Sequence, residues 1–320
     1  MRYSNAFGKN GSKILLGTAY FGETISREES FDIMDKFAAL GGTHIDTARL
    51  YASGESEKVI AEWIASRKPA EVFVSTKGAF PNKATPDMPR VSEKEVRYDL
   101  ELSLRALNTE CVNFYWLHRD DESRDVGEII EFMNAFVREG KILHFGASNW
   151  KHERIEEANQ YANAHGLLGF EASQIRFSPA IVSPTGTADR KLVDMSPVSF
   201  DYYRERKMPV AAYASQAKGF FSKMAAFGES GLSEKSKDRY MCPENLETLE
   251  AVKALAEEYG CSIAAIVCGA LASLSSPDVF PIIGGSNALQ IEDSLRGADV
   301  VLTKAELENI FKGYRIGEEE

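Results

Sequence analysis

Four ionisable residues of this 320-residue chain stand where strand-like runs end. Asp46 lies in the run 44–47 and Tyr51 follows it by five residues; Lys77 comes directly after the run 72–76, and His118 directly after 112–117. Singly, each has an ordinary explanation: a helix cap, a loop wall, a solvated charge, a core imidazole. Jointly they form a proton-transfer device. An isolated tyrosine titrates near about 10 and is a poor acid at neutral pH. An adjacent ammonium, here Lys77, is expected to stabilise the phenolate and lower that value. Asp46 would keep the ammonium charged and in place as its ion-pair partner, while His118 would donate to a substrate oxygen. The chemistry this suits is reduction of a carbonyl, in which a developing alkoxide takes up a proton.

Such a device needs elements that bring distant residues to one place. Apolar, β-rich runs recur at 14–18, 44–47, 72–76, 112–117, 143–148, 171–177, 210–214 and 279–283, and amphipathic helical patterns separate them. Two helix starts carry a Ser with Glu three residues later, Ser26/Glu29 and Ser92/Glu95, ahead of apolar residues at helical spacing. Runs that are nearly all apolar and alternate with helices describe a parallel sheet covered on both faces. Eight such units predict an α/β fold, a closed (β/α)8 TIM barrel, as a single domain over residues 1–320. A doubly wound nucleotide-binding sheet is disfavoured because no G-x-G-x-x-G follows the first strand. Long loops after strands six and seven, at 178–199 and 220–245, are expected to overhang the carboxyl face, where barrel enzymes hold their chemistry.

Composition narrows the classes. With 37 Lys+Arg against 48 Asp+Glu, the net charge is −11, which argues against a general nucleic-acid binder. Hydrophobic residues at 44% and charged residues at 27% are the mixture of a globular chain with a core to bury, not of a disordered acidic one. The apolar run 263–272 is shorter than the roughly 20 residues a bilayer requires, so a buried helix is expected there. The polar start, Met1-Arg2-Tyr3-Ser4-Asn5, lacks the apolar centre of a signal peptide. Four cysteines, Cys111, Cys242, Cys261 and Cys268, form no CxxC pair and are read as reduced thiols. The expectation is a soluble, cytoplasmic protein acting on a small-molecule carbonyl, with neither nucleic acid nor membrane as partner and with no metal site. Nothing in the sequence sets the number of subunits.

Motifs then give a resemblance. Gly42-Thr43-His44-Ile45-Asp46-Thr47-Ala48-Arg49-Leu50-Tyr51 with Ser56-Glu57, then Ser75-Thr76-Lys77, Tyr115-Trp116-Leu117-His118-Arg119 and Gly146-Ala147-Ser148-Asn149, resemble in order the signatures of the aldo-keto reductase family. The likeness runs from about Ile14 to Leu295. It implies a catalytic tetrad of Asp46, Tyr51, Lys77 and His118 with Tyr51 as general acid/base. It also implies a nicotinamide carboxamide held by Ser148, Asn149 and Gln174, and a ring stacked on Tyr213. The pyrophosphate would meet Ser215 and Gly219, although Ala214-Ser215-Gln216-Ala217-Lys218-Gly219 replaces the family's S-P-L-x-x-G. Gly284, Ser286, Gln290, Asp293 and Ser294 would take the adenosine end.

Many relatives place Arg where this chain has Gln290, and Asn where it has Ser294. The branch that resembles the potassium-channel β-subunits has a similar Gly-x-Ser-Asn-x-x-Gln segment and binds NADP(H). The cofactor implied is therefore NADP(H), with NAD(H) as an alternative, and Lys223 and Arg239 are candidates for further phosphate contacts. Tyr20, Phe80 and Arg119 would line the substrate pocket, whereas Trp116 is expected in packing. An NAD(P)H-dependent carbonyl reductase is the first expectation. A nucleotide-sensing regulatory subunit with little turnover is the second, and the intact tetrad favours the enzyme. A Schiff-base lyase using Lys77 leaves Tyr51, Ser148 and Asn149 without roles.

Overall fold

The computed structural model describes residues 1–183, 189 and 191–317; the rest of the loop assigned to 178–199 and the acidic end Glu318–Glu320 lie outside the described residues. Ten strands are present among the described residues. An antiparallel hairpin, β1 (Tyr3–Ala6) and β2 (Lys9–Ser12), precedes eight parallel ones. These are β3 (Leu15–Gly17), β4 (His44–Asp46), β5 (Phe73–Gly78), β6 (Val112–Leu117), β7 (Ile142–Ser148), β8 (Ser173–Arg176), β9 (Val210–Tyr213) and β10 (Val279–Ile283). They close into a barrel in chain order, with β10 pairing back to β3 through Ile282 and Leu15. Each coincides with one of the eight apolar runs of the sequence.

Strand side chains alternate between two faces, and both faces are covered. One face packs on the helices in a large apolar cluster that includes Ile14, Ile45, Tyr115, Leu117 and Ile175. The other fills the barrel with Leu15, Phe114, Trp116, Ala211 and Phe280. Trp116 is fully buried in this filling, as expected. Helix Arg27–Ala39 starts with a reciprocal Ser26/Glu29 capping box. At Glu93–Leu107 the Ser92 hydroxyl accepts from the Glu95 N–H, but the Glu95 carboxylate takes the Ser92 hydroxyl and not its backbone.

The hairpin was not expected from the sequence. Phe7 and Gly8 form its two-residue turn, with φ of 53° and 74°, the signs a hairpin turn needs to match strand twist. Phe7 enters the barrel from below, its ring 4.9 Å from Phe280, 5.4 Å from Phe114 and 5.8 Å from Trp116. The amino-terminal end is thus stoppered, and the carboxyl ends of the strands remain for polar groups.

The loop after β9 is built of helices Phe220–Phe227 and Glu234–Tyr240. Residues 263–272 lie in the buried helix Ile263–Ser273. Among the described residues no single helix is long and apolar enough to cross a membrane.

Candidate functional site

Parity along the strands sets the site. His44 and Asp46 of β4 share the inward face, as do Ser75 and Lys77 of β5, and the register pairs Asp46 with Ser75. Lys77 Nζ lies 2.5 Å from Asp46 Oδ2, donates to the Thr47 carbonyl at 2.7 Å and reaches the Tyr51 hydroxyl at 3.4 Å. Burial is the largest influence on this amine and works against its charge. The Asp46 carboxylate and then Tyr51 outweigh it, so the ammonium is held above the ordinary lysine value.

Tyr51 opens a single turn, Tyr51–Gly54, in which Ala52 and Ser53 adopt φ of 47° and 55° and Gly54 97°. Motif residues with no role in the sequence reading hold this turn. Arg49 donates to Glu57 at 2.8 Å and to the Ser53 carbonyl at 2.9 Å. Glu57, fully buried, also accepts from Thr76 at 2.7 Å, and the Ser56 hydroxyl donates to the Thr18 carbonyl at 2.9 Å. At φ 97° Gly54 holds a backbone conformation that favours glycine, and a Cβ there would also displace the Arg49 guanidinium, 1.9 Å away. The D-T-A-R-L-Y…S-E spacing could have signalled these roles, since it places an Arg and a Glu on either side of the turn.

One expectation is corrected here. Lys77 does not make the phenol acidic in this structure. Burial of the hydroxyl is the largest influence and raises Tyr51 above the usual tyrosine value, with Lys77 opposing but not overcoming it. Tyr51 is therefore protonated at neutral pH, the form a proton donor requires.

His118 follows β6, its ring edge-on to Tyr51 at 6.1 Å and to Phe80 at 5.0 Å. Burial first, then the charges of Lys77 and Arg119, hold the imidazole well below its ordinary value, so it is neutral. Arg119 is buried with its guanidinium 4.7 Å over the Phe80 ring, and it donates to Asp189 at 2.9 Å. Phe80, Arg119, His118 and Tyr51 are thus one group. Tyr20 is exposed on the loop after β3 and is joined to that group by no hydrogen bond or ring contact among the described residues.

The residues assigned to a nucleotide form a second, adjoining group. Ser148 and Gln174 are register partners on β7 and β8. Asn149, at φ 58°, accepts from the Tyr213 hydroxyl at 2.6 Å and donates to the Ser148 hydroxyl at 3.1 Å. Gln174 donates to Asp46 Oδ1 at 3.1 Å and so joins the two groups. Ser215 donates to the Ile282 carbonyl at 2.7 Å, and Gln216 to the Ser294 hydroxyl at 2.9 Å, which ties the loops after β9 and β10 together. Gln290 turns back to accept from the Ser286 N–H at 2.9 Å and the Ser286 hydroxyl at 3.2 Å. Asp293 is half-buried on the helix Ala288–Leu295. Burial and then the charge of Asp293 raise the Cys268 thiol in the helix Ile263–Ser273.

The loop after β9 holds a feature the sequence reading caught only in part. Lys218 is pushed below the ordinary lysine value by partial burial and then by the like charges of Arg239, Lys235 and Lys223. Ala214, Ala217 and Lys218 take positive φ (52°, 47° and 56°) ahead of Gly219 at 76°, a strained stretch of the kind that collects at ligand sites. A Cβ on Gly284, on the facing loop, would meet nothing within 4 Å. Amides and hydroxyls on adjacent strands, an aromatic ring beside them and a cationic loop beyond make a donor set suited to a ligand with a carboxamide at one end and phosphates at the other.

Known proteins agree with this architecture. The model of the aldo/keto reductase family matches residues 13–314. A norsolorinic acid reductase B from Dothistroma septosporum is 30% identical over 322 residues, covering 95% of this chain and 78% of its own. An aryl-alcohol dehydrogenase from Pestalotiopsis microspora is 27% identical over 300 residues, covering 90% and 73%. Among solved structures, a thermostable aldo-keto reductase in complex with the inhibitor epalrestat superposes with a TM-score of 0.72 at 21% identity, over 97% of this chain and 99% of that one, a likeness of fold. A barrel of this register, with an Asp, a Lys and a Tyr meeting at its rim inside a match that spans nearly every strand, leads to one assignment: the chain belongs to the aldo/keto reductase family.

Proposed function

We propose that this protein reduces an aldehyde or ketone to the alcohol with NADPH, using Tyr51 as proton donor. The observation that carries the reading is the Lys77 ammonium, anchored by Asp46 at 2.5 Å and aimed at the Tyr51 hydroxyl at 3.4 Å. Bound NADPH would supply the hydride. Ser148, Asn149 and Gln174 would hold its carboxamide, Tyr213 would flank its ring, and the Lys218–Arg239 loop would meet its phosphates. Neutral His118 would donate to the substrate oxygen and fix its direction. As negative charge grows on that oxygen, Tyr51 gives up its proton and Lys77 stabilises the phenolate left behind.

Phe80 beneath the Arg119 guanidinium offers a flat wall to an aromatic substrate. The names of two relatives, an aryl-alcohol dehydrogenase and a norsolorinic acid reductase, favour the same class. Lys218 and the three cations around it favour NADP(H) over NAD(H), because the extra phosphate adds charge that they can neutralise. The test is loss of NADPH absorbance with a panel of aromatic and aliphatic aldehydes. Consumption that depends on the aldehyde supports the reading; tight NADPH binding with no consumption for any of them overturns it.

A further inference from the structure

The two oxygens of Asp46 are held differently. Oδ2 takes the Lys77 ammonium at 2.5 Å, whereas Oδ1 accepts from the Ser75 hydroxyl at 2.9 Å and from the Gln174 amide at 3.1 Å. A hydroxyl carries one proton and a carboxylate only accepts. The Ser75 proton therefore goes to Asp46, and Ser75 Oγ must accept from its other neighbour, His44 Nε2, at 2.9 Å. This fixes the imidazole as the tautomer protonated on Nε2. Its Nδ1 is correspondingly bare, buried with no hydrogen-bond partner among the described residues. The rings of Phe73, at 4.4 Å, and Phe7, at 5.2 Å, wall it in.

We propose that His44 and Ser75 are positioning residues, a buried relay that orients Asp46 and through it aims Lys77 at Tyr51. Lys77 has three N–H bonds. Two are short, to Asp46 and to the Thr47 carbonyl, and the third reaches Tyr51 at 3.4 Å. The long one is the bond that reorientation would lose first. If Ser75 released Oδ1, the carboxylate could rotate and carry the ammonium with it. Its own charge would then be less well satisfied by hydrogen bonding. Both changes disfavour the Tyr51 phenolate. β-Sheet register builds the relay, since His44 and Asp46 are two residues apart on one inward face and Ser75 pairs with Asp46 on the next strand.

The kinetic consequence rests on Tyr51 being the proton donor, but the geometric one does not, so the experiment reads both. Protein labelled with 3-fluorotyrosine is titrated by fluorine NMR without nucleotide, the Tyr51 signal being the one lost in Tyr51→Phe. Fluorine acidifies a phenol and brings the titration into reach. Ser75→Ala and His44→Leu are expected to raise the Tyr51 midpoint by about half a unit or more. The alkaline limb of the reduction rate should rise with it, and NADPH affinity should be unchanged. His44→Gln presents an N–H near the place of Nε2 and is expected to restore the wild-type midpoint. Ser103→Ala, which removes another buried hydroxyl remote from the barrel interior, should shift nothing. An unshifted midpoint in Ser75→Ala, or His44→Gln behaving as His44→Leu, overturns the relay. If no carbonyl is turned over, the functional reading falls while the fluorine titration still decides the relay.

Discussion

Two loops at the same rim are built on opposite plans. In the turn after β4, opposite charges meet and are satisfied, Arg49 with Glu57 and Lys77 with Asp46, and the neutral Thr76 hydroxyl donates to Glu57 as well. In the loop after β9, Lys218 has Arg239, Lys235 and Lys223 as the charges that bear on it, all of its own sign. The first loop is finished without a ligand. The second carries a repulsion that an anion would relieve. On the proposed function, chemistry would fall to the first, where geometry must be fixed in advance, and binding to the second, where charge is what matters.

The sharpest way to break this division is Tyr51→Phe. It should lower kcat by about 10² or more while leaving NADPH affinity nearly unchanged, as read by steady-state rates and fluorescence titration. Equal losses in both would erase the division. Next comes the double substitution Lys218→Ala with Lys223→Ala. It should weaken NADPH binding about tenfold, roughly 1.4 kcal/mol, flatten the salt dependence of binding and leave kcat at saturating NADPH close to wild type. A change in kcat alone would move catalytic work into the loop after β9. Gln290→Arg is a finer probe, expected to raise the ratio of NADPH to NADH affinity a few-fold by placing a charge beside the extra phosphate; an unchanged ratio would mean that the phosphate lies elsewhere.

A separate effect, on stability, concerns the cost of the fixed half. Burial, and then the charge of Lys77, hold His44 down to about 3, against about 6.5 in an unfolded chain. The unfolded state thus binds the extra proton first. The stability from a neutral His44 is whole above about pH 6.5 and is lost as pH falls toward about 3. Melting temperatures should decline from pH 7 to 5, with a shallower decline in His44→Gln. Equal slopes would show that other groups govern the acid limb.

How far the sequence could be read follows from the same physics. The barrel strands were legible because burial on both faces demands continuous apolar runs of strand length, and the rim groups because four motifs stand in a fixed order. The hairpin was not. Its strands, Tyr3-Ser4-Asn5-Ala6 and Lys9-Asn10-Gly11-Ser12, carry almost no apolar signal, and a Phe is an unusual residue to meet at positive φ in a tight turn. The pKa of Tyr51 was misjudged because spacing reveals a neighbouring charge but not the depth of the hydroxyl. The spacing of Arg49 and Glu57 on either side of the turn signals a brace, and the folded chain shows it to be an ion pair. Gln174 was assigned to a ligand, and its bond to Asp46 across the barrel could not be seen from one strand.

The Phe7 plug gives the first dozen residues a reach far beyond their place. Its ring touches His44 at 5.2 Å, and a Cβ on Gly8 would fall 2.0 Å from the His144 ring. Damage to this cork would propagate upward through the imidazole to the carboxylate at the other mouth. A variant near the amino terminus, judged harmless by its distance from the reacting atoms, would then behave like a lesion of the catalyst itself.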